Sequence, residues 1–146
     1  MALTKETIQA TYPLPAYNYK VMIDTETLAF SEVSGLTVSY EKVVYKHGLS
    51  YLTGPAIIRA QPNDIMITLK RGVAAKRSYL YNWLAGKQVK DIFIDLCDEK
   101  GHAVVRWKVS KALPLKMESP SFSADGNNIA LESLELIAQN ISIEYL

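Results

Sequence analysis

A serine, an imidazole and a carboxylate are the parts of a nucleophilic triad, and the chain offers Ser34, His47 and Asp95 for those roles. A nucleophile elbow needs glycine on both sides of its serine, whereas Glu32-Val33-Ser34-Gly35-Leu36 supplies only Gly35. His47 and His102 fall in separate turn-forming segments, and Cys97 stands alone, so neither HExxH nor any Cys/His metal spacing can be written. Asp91 with Asp95, and Glu132 with Glu135, are candidate acid–base pairs, although carboxylates scattered through strands and turns are ordinarily solvated. The seven glycines are dispersed singly, so no phosphate-cradling loop is present. The residues predict no catalytic, metal or cofactor-binding site and no enzyme, and weight moves to a structural or binding role.

The elements that would hold such residues are those of one small domain. A length of 146 residues suits a single core, because two domains of half that size would each bury too little surface. Sixteen Lys and Arg oppose fifteen Asp and Glu, so no global field selects nucleic acid or an anionic membrane. The N-terminal residues lack the apolar core of a signal peptide, and no apolar run approaches a bilayer-spanning length, which predicts cytoplasmic synthesis and no integral membrane segment. With one cysteine no internal disulfide forms, and Cys97, within Ile-Phe-Ile-Asp-Leu-Cys, reads as a buried thiol.

Period-two alternation predicts most of the chain to be strand. Tyr17, Tyr19, Val21 and Ile23 alternate with Asn18, Lys20, Met22 and Asp24; residues 1–12 ahead of them read as a flexible or contact-forming tail. Leu28–Gly35 and Leu36–Gly48 read as two strands joined at Ser34-Gly35, where glycine admits a kink. Ile65, Ile67 and Leu69 mark another strand. Val73, Leu80, Trp83 and Leu84 then fall on one helical stripe that Gly86 closes, and Lys70, Arg71, Lys76 and Arg77 read as a solvated basic face. Asp91–Cys97 and Ala103–Leu113 flank a turn at Asp98–His102 and predict a hairpin. Residues 129–139 fit strand or helix equally, and the terminal Ile-Ser-Ile-Glu-Tyr-Leu returns to alternation.

Residues 47–64 break the pattern. Two glycines and two prolines give them turn chemistry, yet Leu49, Tyr51, Leu52, Ile57 and Ile58 are apolar. A loop of this length without secondary structure is uncommon in a compact domain, and apolar content argues against disorder. These side chains are therefore expected to pack, on the body or on another molecule.

Certain strings carry a resemblance. Tyr12-Pro13-Leu14-Pro15-Ala16-Tyr17, Phe30-x-x-Val33-Ser34-Gly35-Leu36, Ile67-Thr68-Leu69-Lys70-Arg71-Gly72, Tyr81-Asn82-Trp83-Leu84, Ser119-Pro120-Ser121-Phe122 and the run from Asn127 to Leu136 occur in this order. Together they resemble the tail-tube proteins of contractile phages and extracellular contractile injection systems, typified by the antifeeding prophage and the Photorhabdus virulence cassettes. Type VI secretion tube proteins are similar in fold. The likeness spans nearly the whole chain. It departs in the long loop, where relatives carry a Gly-Asn-aromatic segment and Pro-Gly, and this chain reads Gly48-Leu49-Ser50-Tyr51-Leu52-Thr53-Gly54-Pro55.

The resemblance implies a mainly β fold, a small β-barrel of packed antiparallel sheets with one flanking α-helix, and a strand at residues 129–139. It implies assembly into hexameric rings that stack as a hollow inner tube, with contractile sheath, baseplate and tube-terminating proteins as partners and a tape-measure protein or cargo in the lumen. Such a particle is made in the bacterial cytoplasm and released outside the cell. Val43, Tyr45, His47, Leu49, Tyr51, Leu52, Ile57, Ile58 and Arg59 are the expected subunit and ring contacts, with Ser34 and Gly35 as the joint that aims them. A baseplate-proximal paralogue, a monomeric β-barrel ligand-binding module, and a hydrolase centred on Ser34, Asp95 or His47 are the competing readings.

Overall fold

The computed structural model describes residues 13–146, and the tail expected at residues 1–12 lies outside the described residues. The alternating segments form β1 (Tyr19–Ile23), β2 (Glu26–Leu28), β3 (Glu32–Ser34), β4 (Tyr40–Tyr45), β5 (Ala56–Pro62), β6 (Ile65–Gly72), β7 (Lys90–Cys97), β8 (Ala103–Glu118), β9 (Leu131–Ala138) and β10 (Asn140–Tyr145). A single-turn helix spans Ser50–Thr53 and a longer one Tyr79–Gly86. Every strand pairing is antiparallel, and the main ladder runs β2-β1-β7-β8-β9-β6-β3, with β10 also on β8.

The long strand β8 turns this ladder into two packed layers. Its first part, to Ala112, lies between β7 and β10, whereas Leu113 to Glu118 pairs with β9. Ser110 opposite Asn140 and Leu113 opposite Ile137 keep one register across the change, so β9 and β10 form a single bent partner strand of β8. Lys111 sits in the left-handed region at φ 54, and its N–H donates to Asp91 Oδ1 at 3.0 Å. Strands that switch sheets through bends and bulges are how two sheets share a corner. The ladder ends at β2 and β3, giving a mainly β, barrel-like sandwich with the helix Tyr79–Gly86 on its flank.

Between the layers lies one apolar core. Val21, Ile23, Ile92, Ile94, Val109 and Ile141 come from the first sheet, and Ile65, Ile67, Leu69, Leu134 and Leu136 from the second. Leu80 and Trp83 are the helix's buried contribution. The residues at 129–139 that the sequence left open are strand: Leu69 pairs Leu134 and Ile67 pairs Leu136, so strand register puts both leucines on the core face. The hairpin β7–β8 closes as expected, with Gly101 at φ +82 and Asp98 Oδ1 accepting from the N–H groups of Lys100 and His102, at 2.9 Å each. Those two bonds, His102's first, lower the Asp98 pKa from its ordinary value.

Three local expectations are corrected. Val73 lies outside the helix, because its N–H prolongs the β6–β9 ladder to Ala130 O at 2.9 Å. Gly86 is the last helical residue, and Lys87 takes the left-handed cap at φ 56 with its N–H on Trp83 O at 3.1 Å. Arg71 is not part of a solvated face. Cross-strand register places it opposite Glu132 on the core side, where its Nε lies 2.7 Å from Glu132 Oε1 and its Nη2 donates to Arg77 O at 2.9 Å.

Candidate assembly surface

The segment expected to be a structureless loop is half strand. Ala56–Pro62 is β5 and pairs with β4, so that residues 40–62 make a hairpin arm with the helix Ser50–Thr53 at its tip. Glu32 opposite Lys70, Ser34 opposite Thr68 and Tyr40 opposite Pro62 share one register, and Asn63 N–H donates to Ser39 O at 2.9 Å. The arm is thus the β3–β6 hairpin prolonged beyond the body. Turn chemistry at Gly54-Pro55 hid this strand from a reading that took glycine and proline as loop throughout.

The joint at the arm's base depends on Gly35. Its φ of +90 is a conformation that side chains rarely adopt, and a Cβ would meet Met66 O. Gly35 O accepts from Thr37 N–H at 2.7 Å, which tightens the bend between β3 and β4. Ser34, the candidate nucleophile, ends β3 as an exposed edge residue far in sequence and ladder position from Asp95.

At the tip, His47 acts as a hinge pin. Its Nδ1 accepts from Leu49 N–H at 3.1 Å, which makes Nε2 the protonated nitrogen of the neutral ring. Its own N–H donates to Ser50 Oγ at 2.8 Å, its carbonyl accepts from Ser50 N–H at 2.9 Å, and its ring lies 5.9 Å from that of Tyr45. One ring nitrogen and both backbone groups of His47 thus shape the turn.

All nine expected contact residues, Val43 to Arg59, lie on this arm, and they do not pack on the body. Tyr51 is 80% exposed, Leu52 67% and Ile57 73%, and β4 is exposed along its whole length. Of the two ways these side chains could pack, the intramolecular one is therefore absent among the described residues. Sequence reasoning omitted Tyr40, Lys42 and Val44, which share the other face of β4; Arg59 stacks over the Tyr40 ring at 4.1 Å. Two successive valines at Val43-Val44 were the available signal, since an alternating one-sided strand would not carry both.

A second uncovered feature is the edge of the first sheet. Leu146 N–H donates to Val104 O, so ladder alternation turns the backbone groups of Ile141, Ile143 and Tyr145 away from β8, where no described strand pairs with them. Tyr145 is 79% exposed beside them. The second sheet's edge is blunter: register places the Pro114 nitrogen on the side away from β9, with a bulge following it.

Of the carboxylates proposed for catalysis, Asp91, Asp95 and Glu132 are engaged structurally. Asp95 is held by Arg106 at 2.7 and 2.9 Å, which raises the Arg106 pKa, within a cross-strand row of alternating charge, Lys20, Asp95, Arg106, Glu144. Asp91 holds Lys111, four strand positions and about 13 Å away from Asp95. Glu132 binds Arg71, and Glu135, three positions on, points to the opposite face. Cys97 is buried with its Sγ 3.7 Å from Asp95 O. Among the described residues no acidic, histidine and cysteine cluster could hold a metal ion, and no helix is long and apolar enough to cross a membrane.

Residues 15–142 match the model of the T4-like virus tail tube protein gp19 family. The chain is similar at 30% identity and TM-score 0.91 to a chain of an extracellular contractile injection system, the PVC sheath-tube complex in the extended state, covering 99% of this chain and 100% of that one. It is similar at 33% identity and TM-score 0.87 to a chain from the anti-feeding prophage tube-terminating cap, over the full length of both. Hcp1 from Flavobacterium johnsoniae shares the fold at TM-score 0.52 and 16% identity, over 89% of this chain and 97% of that one. No curated protein matches the chain.

Proposed function

The chain belongs to the T4-like virus tail tube protein family, and from that premise we propose that it builds the inner tube of an extracellular contractile injection particle. It is a structural tube subunit. In this reading subunits close into hexameric rings, the rings stack into a hollow conduit, and contraction of a surrounding sheath drives that conduit into a target. Tube-terminating and baseplate proteins cap its ends, a tape-measure protein or cargo fills the lumen, synthesis is cytoplasmic, and the subunit itself catalyses nothing.

The observation that carries the proposal is the arm: a hairpin prolonged out of the sheet, with its apolar residues Val43, Val44, Tyr51, Leu52, Ile57 and Ile58 exposed, and aimed by Gly35. An isolated two-stranded ribbon is at best marginally stable in water, so an arm of this kind requires a partner surface. Free strand edges have the same need, and a ring in which neighbouring sheets pair edge to edge leaves none. Tyr51, Leu52 and Ile57 are the anchors assigned to stacking, and β4 with β10 the strands assigned to ring closure.

The 33% identity to a chain of the tube-terminating cap structure supports a second, finer reading, a specialised subunit at one end of the tube. The proposal is tested by electron microscopy of the purified protein, with size-exclusion chromatography across concentration. Rings and long tubes support the bulk tube subunit, and single rings that stack only on a preformed end support the specialised one. A monomer that stays single both alone and with baseplate-bearing tube ends refutes assembly.

A further inference from the structure

The basic run at residues 70–77 divides in the fold. Lys70 pairs with Glu32 at 3.4 Å, whereas Arg71, only 3% exposed, lines a cleft of about 540 Å³ with Lys76, Arg77, Ser78 and Asn82. Leu28 and Ala29 form its apolar side, and no carboxylate lines it. Of the three cations there, Arg71 alone is neutralised, by Glu132; Lys76 and Arg77 make no ion pair among the described residues. Arg71 Nε is taken by Glu132 and Nη2 by Arg77 O, while Nη1 has no partner among the described residues. No fully buried side-chain nitrogen among those residues lacks a partner, so Nη1 reaches the open space of the cleft that Arg71 lines. Lys76 holds φ 64, a left-handed value that lysine adopts only where its surroundings impose it. Ser78 Oγ accepts from Asn82 Nδ2 at 3.3 Å and makes no cap to the helix it precedes, which leaves its hydroxyl proton free to donate.

We propose that this cleft binds a small tetrahedral dianion, phosphate either free or carried on a small monoester. Its donors are Arg71 Nη1, the Lys76 ammonium, the Arg77 guanidinium and the Ser78 hydroxyl, several charged groups that suit an anion with several oxygens and more than one charge. A monocarboxylate would leave one of the two unpaired cations without a counter-charge. The cleft has the size of a small-molecule site, and Leu28 with Ala29 offers an apolar flank to the carbon skeleton of an ester. The lining comes from β2 and the residue after it, from β6 and from the approach to the helix, so a bound anion ties three separate pieces of the fold together. Binding to the folded chain alone also stabilises it. The inference does not rest on the tube reading.

The test is equilibrium dialysis of radiolabelled phosphate, and separately of glycerol 3-phosphate, against free subunits of the full chain at about 0.15 M chloride, which screens diffuse attraction. One anion per chain is expected, half-saturating at or below about 1 mM. Saturation by either ligand supports the site, and the tighter of the two identifies the source. Lys76→Gln with Arg77→Gln changes two exposed side chains and should weaken binding at least about tenfold. Lys100→Gln with Lys116→Gln removes the same charge from exposed positions outside the cleft and should leave binding as it is. As an independent readout, phosphate should raise the melting temperature of the parent chain and not that of the Lys76→Gln, Arg77→Gln variant. No saturable binding up to about 10 mM, equal losses in the two double variants, or displacement by acetate as readily as by unlabelled phosphate would each overturn the proposal.

Discussion

Gly35 crosses Met66 so closely that a Cβ on it would overlap the Met66 carbonyl oxygen, and its φ of +90 is itself unfavourable to any side chain. Replacing it must therefore move backbone at the root of the arm. Gly35→Ala is expected to destabilise the domain by at least about 2 kcal/mol in urea titrations, from the left-handed strain and the clash together. Ser34→Ala, one residue away and exposed, should stay within about 0.5 kcal/mol of the parent and assemble normally. A large loss on Ser34→Ala would restore a special role for that hydroxyl.

Arg71 and Glu132 form an ion pair with side chains 4% and 12% exposed at the mouth of the core. Glu132→Ala leaves a buried guanidinium with only Arg77 O as a partner, and a loss of about 3–5 kcal/mol in unfolding free energy is expected from denaturant titration. Arg71→Met combined with Glu132→Leu should recover most of that loss, because removing both charges also removes the desolvation cost. Equal destabilisation by the single and double variants would contradict this account.

Tyr19 donates from its hydroxyl to Phe30 O at 2.6 Å, and burial, with the charge of Glu32 adding to it, raises the phenol pKa. A folded-state pKa above the unfolded one means that the unfolded chain loses its proton first. Stability from this group is then complete below about pH 10 and falls as pH rises through the folded value. Tyr19→Phe should cost about 1 kcal/mol at neutral pH and abolish this part of the alkaline decline. Parallel alkaline melting curves for the two proteins would show that another group titrates.

Tyr51→Asp with Leu52→Asp alters the arm's tip without touching the core. Thermal unfolding should shift by no more than a surface substitution does, about 0.5 kcal/mol. Stacked tubes should disappear in micrographs while rings or single subunits persist. Tubes of unchanged length would remove the tip from the stacking contact.

Much of the fold was legible because strand alternation is a local signal. Val21 with Ile23, and Ile65, Ile67 and Leu69, marked core faces that the sheets use, and Asp98 to His102 marked a turn by its own chemistry. Residues 129–139 could not be settled that way, since Leu131, Leu134 and Ala138 satisfy two periods; only the pairing of Leu134 with Leu69 decides it. Arg71 misled because its burial is a property of Glu132, distant in sequence and opposite in register.

The sequence by itself determined a mainly β chain, a joint at Gly35 and an apolar excursion after Tyr45, because side-chain period and glycine's freedom act within a few residues. Only the tertiary structure decided that the excursion is a paired arm prolonging the β3–β6 hairpin, with none of its tip folded back on the body among the described residues. It also decided that Asp95, Glu132 and His47 are occupied by Arg106, Arg71 and the tip backbone. The physical reason is common to these cases. Register, exposure and charge pairing depend on which distant strand lies alongside, and no local pattern carries that information.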